Sequence, residues 1–474
     1  MPRLVIDLTS LAQATGNPVG IARCQYQYAA YARRALPAAE FTLFDPRALA
    51  YRPIRPERID DVIEGRAKFF PGFAKLPWDL KRRGVDRVPR PLHEPFFWLT
   101  RTRRQLLLML ERRRLAARDS EARQRLGLWQ ERLMSRKARP LYRDRKGGRA
   151  DVLAIDGLCG PPLELAPGDV SFGIQSDWTH TDIVAIAANR DKAGSRHVVL
   201  CHDIIPILFP EWYSGHDVAT FTRYYDKAFE AADRVVFTSG RTLDDARAHC
   251  KMIGVTMRET AIVPLGSDPF VRGGAPAPLP PGLEPGNFAL FVSTIEPRKN
   301  HKLLLDAWRK LIADGTIAAT GYRLVFVGRP GWMMGAFLED MRTDPVLAGS
   351  AVHLSGVDDA TLATLYRDAG FCLYPPIYEG FGLPPVEALQ YGKALIASSG
   401  GPMPEVVGDF AICLDPRDTA AWTAKMRDWI AGSEERDRFA TRAAVEYRAV
   451  TWEESARRFF AAATAPFPVD QSKG

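Results

Sequence analysis

GFCLYPPIYEGFGLPPVEALQYGKALIASS, residues 370–399, alternates a short apolar run, a glycine- and proline-rich loop, a helix-compatible stretch and a second apolar run. GFCLYPP (370–376) reads as a buried strand and VEALQYG (386–392) as a helix. ALIASS (394–399) reads as the next strand. Continuous apolar runs of this length, separated by a helix, are the signature of a parallel sheet covered on both faces. Pro384 and Pro385 suit the first turn of a helix. Gly380 and Gly382 permit a tight turn that exposes successive backbone N–H groups. A helix start of this kind offers free amides and a positive dipole end to a phosphate. Two acids, Glu379 in the loop and Glu387 on the first helical turn, flank it. Each is suited to accept hydrogen bonds from hydroxyls of a sugar or a ribose. The alternatives are a solvated acid pair, or a glycosidase acid and nucleophile. The amide donors beside Glu379 favour a phosphorylated ligand over hydrolysis.

The same alternation extends outward. Upstream, NFALFVSTI (287–295) is a strand, HKLLLDAWRKLIA (301–313) an amphipathic helix, and YRLVFVG (322–328) and AVHLSG (351–356) are strands, with TLATLYRDA (361–369) helical. Arg298 and Lys299 fall between the first strand and its helix, where two cations can neutralise charge on a departing diphosphate. Residues 272–287, RGGAPAPLPPGLEPGN, read as a linker. Before it, LVIDL (4–8), DVLAIDG (151–157), DVSFGI (169–174), HVVLCHD (197–203) and RVVFTS (234–239) read as buried parallel strands. A helix runs through Tyr26 and Tyr28. Two doubly wound α/β domains facing a cleft follow, with ligands expected beyond the carboxyl ends of the strands. The 474 residues and 46% apolar content suit two or three cores.

Composition narrows the setting. No run reaches the roughly 18 apolar residues of a membrane span. MPRLVIDLTS reads as a first strand and not as a leader. Six scattered cysteines fit a reducing compartment. The net charge of +8 is uneven: residues 51–150 hold 28 Lys and Arg against 12 Asp and Glu, leaving −8 for the remainder. Within residues 65–150, aromatics such as Trp78 and the run at 96–98 sit among arginines, and 101–139 reads as one or two basic helices. This segment is expected to be an insertion in the first domain. It either docks on an anionic membrane surface or packs as a structural hairpin with solvated arginines. Nucleic acid is disfavoured, because no nucleic-acid fold signature accompanies the charge.

FVSTIEPRKNHKLLLDAW, LVFVG, VHLSGVDDATLATLYRDAGFCLYPPIYEGFGLPPVEAL and SSGGPMPEVVGD together resemble the retaining family 4 glycosyltransferases of the GT-B fold (glycosyl transferases group 1), among them bacterial mannosyltransferases of surface polysaccharide and lipopolysaccharide assembly. The likeness covers residues 262–455 and continues more weakly through DLTSLAQATGNPVGIAR (7–23), HDIIPILFPEW (202–212) and IVPLGSD (262–268). It implies a GT-B architecture with an N-terminal acceptor-side domain over 1–271, a linker over 272–287 and a nucleotide-sugar domain over 288–447. The segment 448–474, a helix and tail, would cross back to the N-terminal domain.

The resemblance also implies roles. Arg298 and Lys299 would bind the donor diphosphate, although many relatives space the second cation further along. Glu379 would hold the donor sugar, with His202 near the reacting carbon. The amides of Gly380, Phe381, Gly382 and Leu383 would meet sugar and phosphate, Glu387 would meet the ribose, and Gly20 would approach the phosphate. Asp203, Arg23 and Asp177 are candidates on the acceptor side, with Trp178 and Glu405 open between ligand contact and structural roles. No metal and no cofactor are expected, since side chains and amides replace the ion. The expected partners are a nucleotide-sugar, GDP-mannose by the form of HDIIPILFPEW or else a UDP-, dTDP- or GDP-deoxysugar, and a lipid-linked or glycan acceptor. The expected location is the cytoplasm, at the inner membrane face if the basic segment docks there. The rival of another class is a catalytically silent membrane-associated scaffold, against which the intact Glu379, Glu387 and Arg298 speak.

Overall fold

The structure is a computed structural model that describes residues 2–14, 20–46, 48–69, 150–153, 155–174, 177–268 and 277–466, with Met109 and Arg113. It divides into two compact units, Met1–His197 and Val198–Gly474.

In the first unit β1 (Leu4–Asp7), β2 (Ala39–Asp45) and β3 (Ala50–Pro53) precede the short pair β4 (Ala67–Phe69) and β5 (Asp151–Leu153), and β6 (Val170–Gly173) follows. β1 lies between β2 and β6, parallel to both, and β3 closes the edge antiparallel to β2. The helix Ile21–Ala35 crosses from β1 to β2 and buries Cys24, Tyr28, Ala29 and Ala32, the i, i+4, i+8 face of a helix that packs on a sheet. β2 and β3 are absent from the sequence reading. AEFTLFD, ending before Pro46, carries the aromatic and β-branched content of a strand. DVLAIDG is not one strand. Only Asp151–Leu153 pairs, because β4 offers just three partners, and the chain then turns into the helix Ile155–Leu158. β4 and β5 pair in parallel, so the chain leaves at residue 69 and returns at 151 on neighbouring strands. The expected basic insertion lies almost wholly outside the described residues.

In the second unit β7 (Arg196–Cys201), whose Val198–Cys201 stretch belongs here, pairs in parallel with β8 (Arg234–Phe237), and β8 with β9 (Glu259–Ile262). Six more strands follow: β10 (Phe288–Val292), β11 (Arg323–Val327), β12 (Ala351–Leu354), β13 (Phe371–Tyr374), β14 (Leu395–Ser398) and β15 (Ile412–Leu414). Their order is β12-β11-β10-β13-β14-β15, all parallel. The helix His301–Ala313 buries Leu304, Ala307, Trp308 and Leu311 against a core that includes Phe291, Phe326, Trp422 and Trp429. Burying each leucine or phenylalanine among them contributes about 1.5–3 kcal/mol. The strand order reverses beside β10, so the loops after β10 and β13 open side by side at the carboxyl edge. That is the position where doubly wound sheets bind ligands. The last described helix, Trp452–Thr464, returns to β8: the Arg234 guanidinium donates to the Ala462 carbonyl at 2.6 Å, and the Ser455 hydroxyl to the Pro264 carbonyl at 2.7 Å. Among the described residues no helix is long and apolar enough to cross a membrane.

Candidate functional site

The loop after β10 is shaped by its own sequence. Pro297 starts a tight turn over Pro297–Lys299, and Asn300 ends it at φ +61°, a conformation that Asn tolerates better than most residues. The Asn300 side-chain amide donates to the carbonyls of Pro375 at 3.1 Å and Pro416 at 2.7 Å. The Ile377 N–H donates to the Arg298 carbonyl at 2.8 Å. These bonds bind the Arg298 loop to the loop after β13 and bring Arg298, Lys299 and Glu379 together.

Glu379 is only 7% exposed. One carboxylate oxygen accepts from Arg298 Nη1 at 2.8 Å and from its neighbour's Gly380 N–H at 3.3 Å. The other accepts from Lys299 Nζ and from the Tyr374 hydroxyl at 2.9 Å. Lys299 Nζ also donates to the Tyr374 oxygen at 3.0 Å, and Arg298 Nε to Glu296 at 3.1 Å. Burial would push the Glu379 carboxyl up, but Arg298 and Lys299 outweigh it and hold the group well below the usual carboxylate range. For Arg298, burial opposes the charge, and Glu379 and Glu296 more than restore it. Lys299 is pushed down by burial and by Arg298, with Glu379 opposing. Burial pushes Glu296 and Asp203 up towards the protonated form against the pull of Arg298. Glu379 is therefore a carboxylate held charged between two cations.

The glycines have separate reasons. A Cβ on Gly380 would come within 2.8 Å of the His202 carbonyl and 2.9 Å of Asp203, so only glycine lets the loop lie against the residues that follow β7. The hydroxyls of Ser239 and Thr242 donate to the Gly380 carbonyl at 3.4 and 3.3 Å. Gly382 stands at φ +85° and caps the helix Leu383–Gln390. Pro384 and Pro385 carry no N–H, so the amides able to face an anion at this helix start are those of Phe381, Gly382 and Leu383. Gly401, at φ +59°, lets SSGGP lie against the backbone of Glu379.

The structure thus gathers Arg298, Lys299, Glu379 and Gly380 with His202 and Asp203 in one unit. Asp203 caps the next turn, accepting from the Ile205 N–H at 3.0 Å. Glu387 does not lie on the first helical turn. The helix begins at Leu383, which makes Glu387 its fifth residue, buried and accepting from the Tyr366 hydroxyl at 3.1 Å. Glu405 lies in the first turn of the helix Met403–Val407 and takes a structural role beyond that helix. Its carboxylate accepts from the Gly240 and Arg241 N–H groups at 2.7 and 3.1 Å, the orphan donors at the start of the helix Gly240–Ile253. Gly20, Arg23, Asp177 and Trp178 belong to the first unit. Gly20 caps the helix Ile21–Ala35 that holds Arg23, and Asp177 begins the helix Asp177–His180 that holds Trp178. Sequence reasoning passed over Tyr374, Glu296 and Asn300. For Glu296 and Asn300 the available signal was their place at the two ends of the E-P-R-K-N string that carries the cations; Tyr374 offered none.

The model of the family described as glycosyl transferases group 1 matches residues 281–445. The chain carries a glycosyl transferases group 1 domain. The chain is 32% identical over 170 residues to the O-antigen chain mannosyltransferase B of Escherichia coli, covering 35% of this chain and 42% of that one. It is 26% identical over 255 residues to the O-antigen chain mannosyltransferase RfbU of Salmonella typhimurium, covering 50% and 66%. The chain thus spans less than two thirds of these relatives. Anabaena HepE, solved in complex with UDP, shares the fold over 98% of this chain and 100% of its own, with a TM-score of 0.57 at 14% identity. The glycosyl transferases group 1 domain therefore sits in a chain with the GT-B fold that the resemblance implied.

Proposed function

We propose that this chain is a retaining, metal-independent glycosyltransferase of surface polysaccharide assembly, moving mannose from GDP-mannose to a lipid-linked or glycan acceptor. The observation that carries the reading is the Glu379 carboxylate pinned between Arg298 and Lys299 beside the amide-bearing turn 380–383. In this scheme the donor diphosphate enters against Arg298, Lys299 and the helix start. The bond from the anomeric carbon to the phosphate oxygen breaks as the acceptor oxygen bonds to the same face, and the acceptor proton passes to the departing phosphate. The cations and amides stabilise that phosphate most as charge accumulates on it, which lowers the barrier more than it tightens ground-state binding. Glu379 orients the sugar hydroxyls and Glu387 the ribose. The sugar follows the O-antigen mannosyltransferases that the chain resembles, and the base follows the form of HDIIPILFPEW (202–212). A UDP-, dTDP- or GDP-deoxysugar donor is the alternative within the fold, and a silent scaffold the alternative outside it. The place of action follows the reading: the cytoplasm, at the inner membrane face where a lipid-linked acceptor is presented to the basic segment.

The test is a thermal-shift screen with GDP, UDP, dTDP and ADP, followed by transfer from radiolabelled GDP-mannose to a lipid extract. GDP is expected to raise Tm the most and label to enter the lipid fraction. A chain whose Tm ignores all four nucleotides is not a nucleotide-sugar transferase. One that binds GDP yet transfers nothing from any nucleotide-sugar is the scaffold.

A further inference from the structure

The loop after β11 carries side chains that the donor reading does not use. It runs along the Arg298 loop: the Ile295 N–H donates to the Arg329 carbonyl at 3.0 Å and the Gly331 N–H to the Ile295 carbonyl at 2.9 Å. A Cβ on Gly331 would stand 2.8 Å from Glu296 Cγ, and Glu296 holds Arg298. The next two residues face solvent, Trp332 at 41% and Met333 at 69% exposure. Trp332 is nevertheless fixed, because its indole N–H donates to the Trp212 carbonyl at 2.7 Å and its ring lies 5.6 Å from that of Tyr213. Met333 is held at φ +58°, a strained setting for a residue with a Cβ. Inward from here, Trp212 stacks on Phe209 at 4.4 Å, and Phe209 lies 5.1 Å from Tyr378, the residue before Glu379. Tyr378, Phe209 and Trp212 thus form a row of rings leading from the candidate site, and at its far end the Trp212 carbonyl and the Tyr213 ring orient the exposed indole of Trp332.

Pyranose rings present C–H faces edged with hydroxyls, and they stack on indole and phenol rings while the hydroxyls stay wet, the amphipathic fit that Trp and Tyr supply. The row begins at Tyr378, next to Glu379. The ribose candidate Glu387 is instead held by Tyr366 of the helix Asp359–Asp368, which contributes no ring to the row. We propose that Trp332, flanked by Met333 and held by the Trp212 carbonyl, is a stacking ledge for a hexopyranose of the acceptor glycan, steadying the acceptor chain while its terminal hydroxyl meets the donor. The ledge rests on the transferase reading above.

The test measures binding of an α-linked mannotriose and of GDP to the full chain by calorimetry, in wild type, Trp332→Ala and Trp332→Phe, with circular dichroism to confirm folding. Mannotriose is expected to bind the wild type, to bind Trp332→Ala about tenfold more weakly, as loss of one stacked ring implies, and Trp332→Phe within about threefold. GDP affinity stays level in all three. Equal mannotriose affinity in wild type and Trp332→Ala overturns the ledge, and so does a wild type that binds GDP but no saccharide. A GDP affinity that falls in Trp332→Ala while mannotriose binding holds places a nucleobase on the ring and overturns it as well. A wild type that binds neither probe defeats the transferase reading and the ledge together.

Discussion

Replacing Glu379 by Gln keeps the shape of the side chain and removes the negative charge that faces Arg298 and Lys299 in a buried cluster. Breaking a buried ion pair by removing one partner costs about 3–5 kcal/mol, and here Lys299 loses its carboxylate while Arg298 keeps Glu296. A nucleoside diphosphate supplies the missing charge. GDP is therefore expected to raise the Tm of Glu379→Gln more than that of wild type, while transfer falls by about two orders of magnitude or more. Differential scanning fluorimetry with and without GDP checks the first, and a transfer assay the second. His301, two residues beyond Lys299, gives the pH dependence. Burial, then the charges of Lys299 and His353, pull its pKa down to about 3, and Phe291 and Phe326 pack against its ring. The folded chain keeps this imidazole neutral while the unfolded chain protonates it below about 6.5. In that window the unfolded state binds more protons, so stability falls as pH drops from about 6.5 towards 3, by about 1.4 kcal/mol per pH unit for this one group. Urea unfolding at pH 7, 6, 5 and 4 is expected to show that slope reduced in His301→Phe. An unchanged slope assigns the acid sensitivity to other groups.

Loops, not helices or strands, set the accuracy of the site. Gly380 touches the residues after β7 with no room for a methyl group. Gly380→Ala should push the Glu379 loop away by a fraction of an ångström to an ångström, a displacement that costs about a hundredfold in turnover. The sheet and its core lie elsewhere, so Tm should move by only a few degrees. A transfer assay beside a thermal melt checks this pairing, and near-normal turnover would mean that the loop is not the positioning element. The same loops mark where the sequence was legible. Glu379, Arg298 and Lys299 were readable because glycine, proline and charge cluster after apolar runs. The bond from Tyr374 to Glu379 was not, since an apolar strand that ends in tyrosine looks like any core strand until its hydroxyl finds a partner. Glu405 was left open for a related reason. Its place in the first turn of a helix was readable, and only tertiary packing shows it also satisfying the start of another helix 165 residues away in sequence.

At the scale of the molecule, alternating apolar runs made the parallel strands of the second unit readable from β10 to β14. β3, β9 and β15 escaped because strands of three or four residues at sheet edges carry mixed polarity and partial burial. The link from the end of the described chain to β8 depends on one position. Gly266 lies flat against the backbone at Thr451 and Trp452, where a Cβ would overlap backbone atoms that cannot swing away. The Ser267 N–H donates to the Val450 carbonyl at 2.8 Å alongside. Gly266→Ala must therefore lift the helix Trp452–Thr464 and expose Trp452, Phe459 and Phe460, which it now buries. Overpacking of this kind costs about 1–3 kcal/mol. The expected result is a lowered Tm together with early proteolytic cleavage between residues 446 and 452, where the chain has left one helix and not yet entered the next. Because the six-stranded sheet keeps its own core, the thermal shift produced by GDP should survive the substitution. A variant that loses the GDP response along with the helix would show instead that this helix supports the donor site.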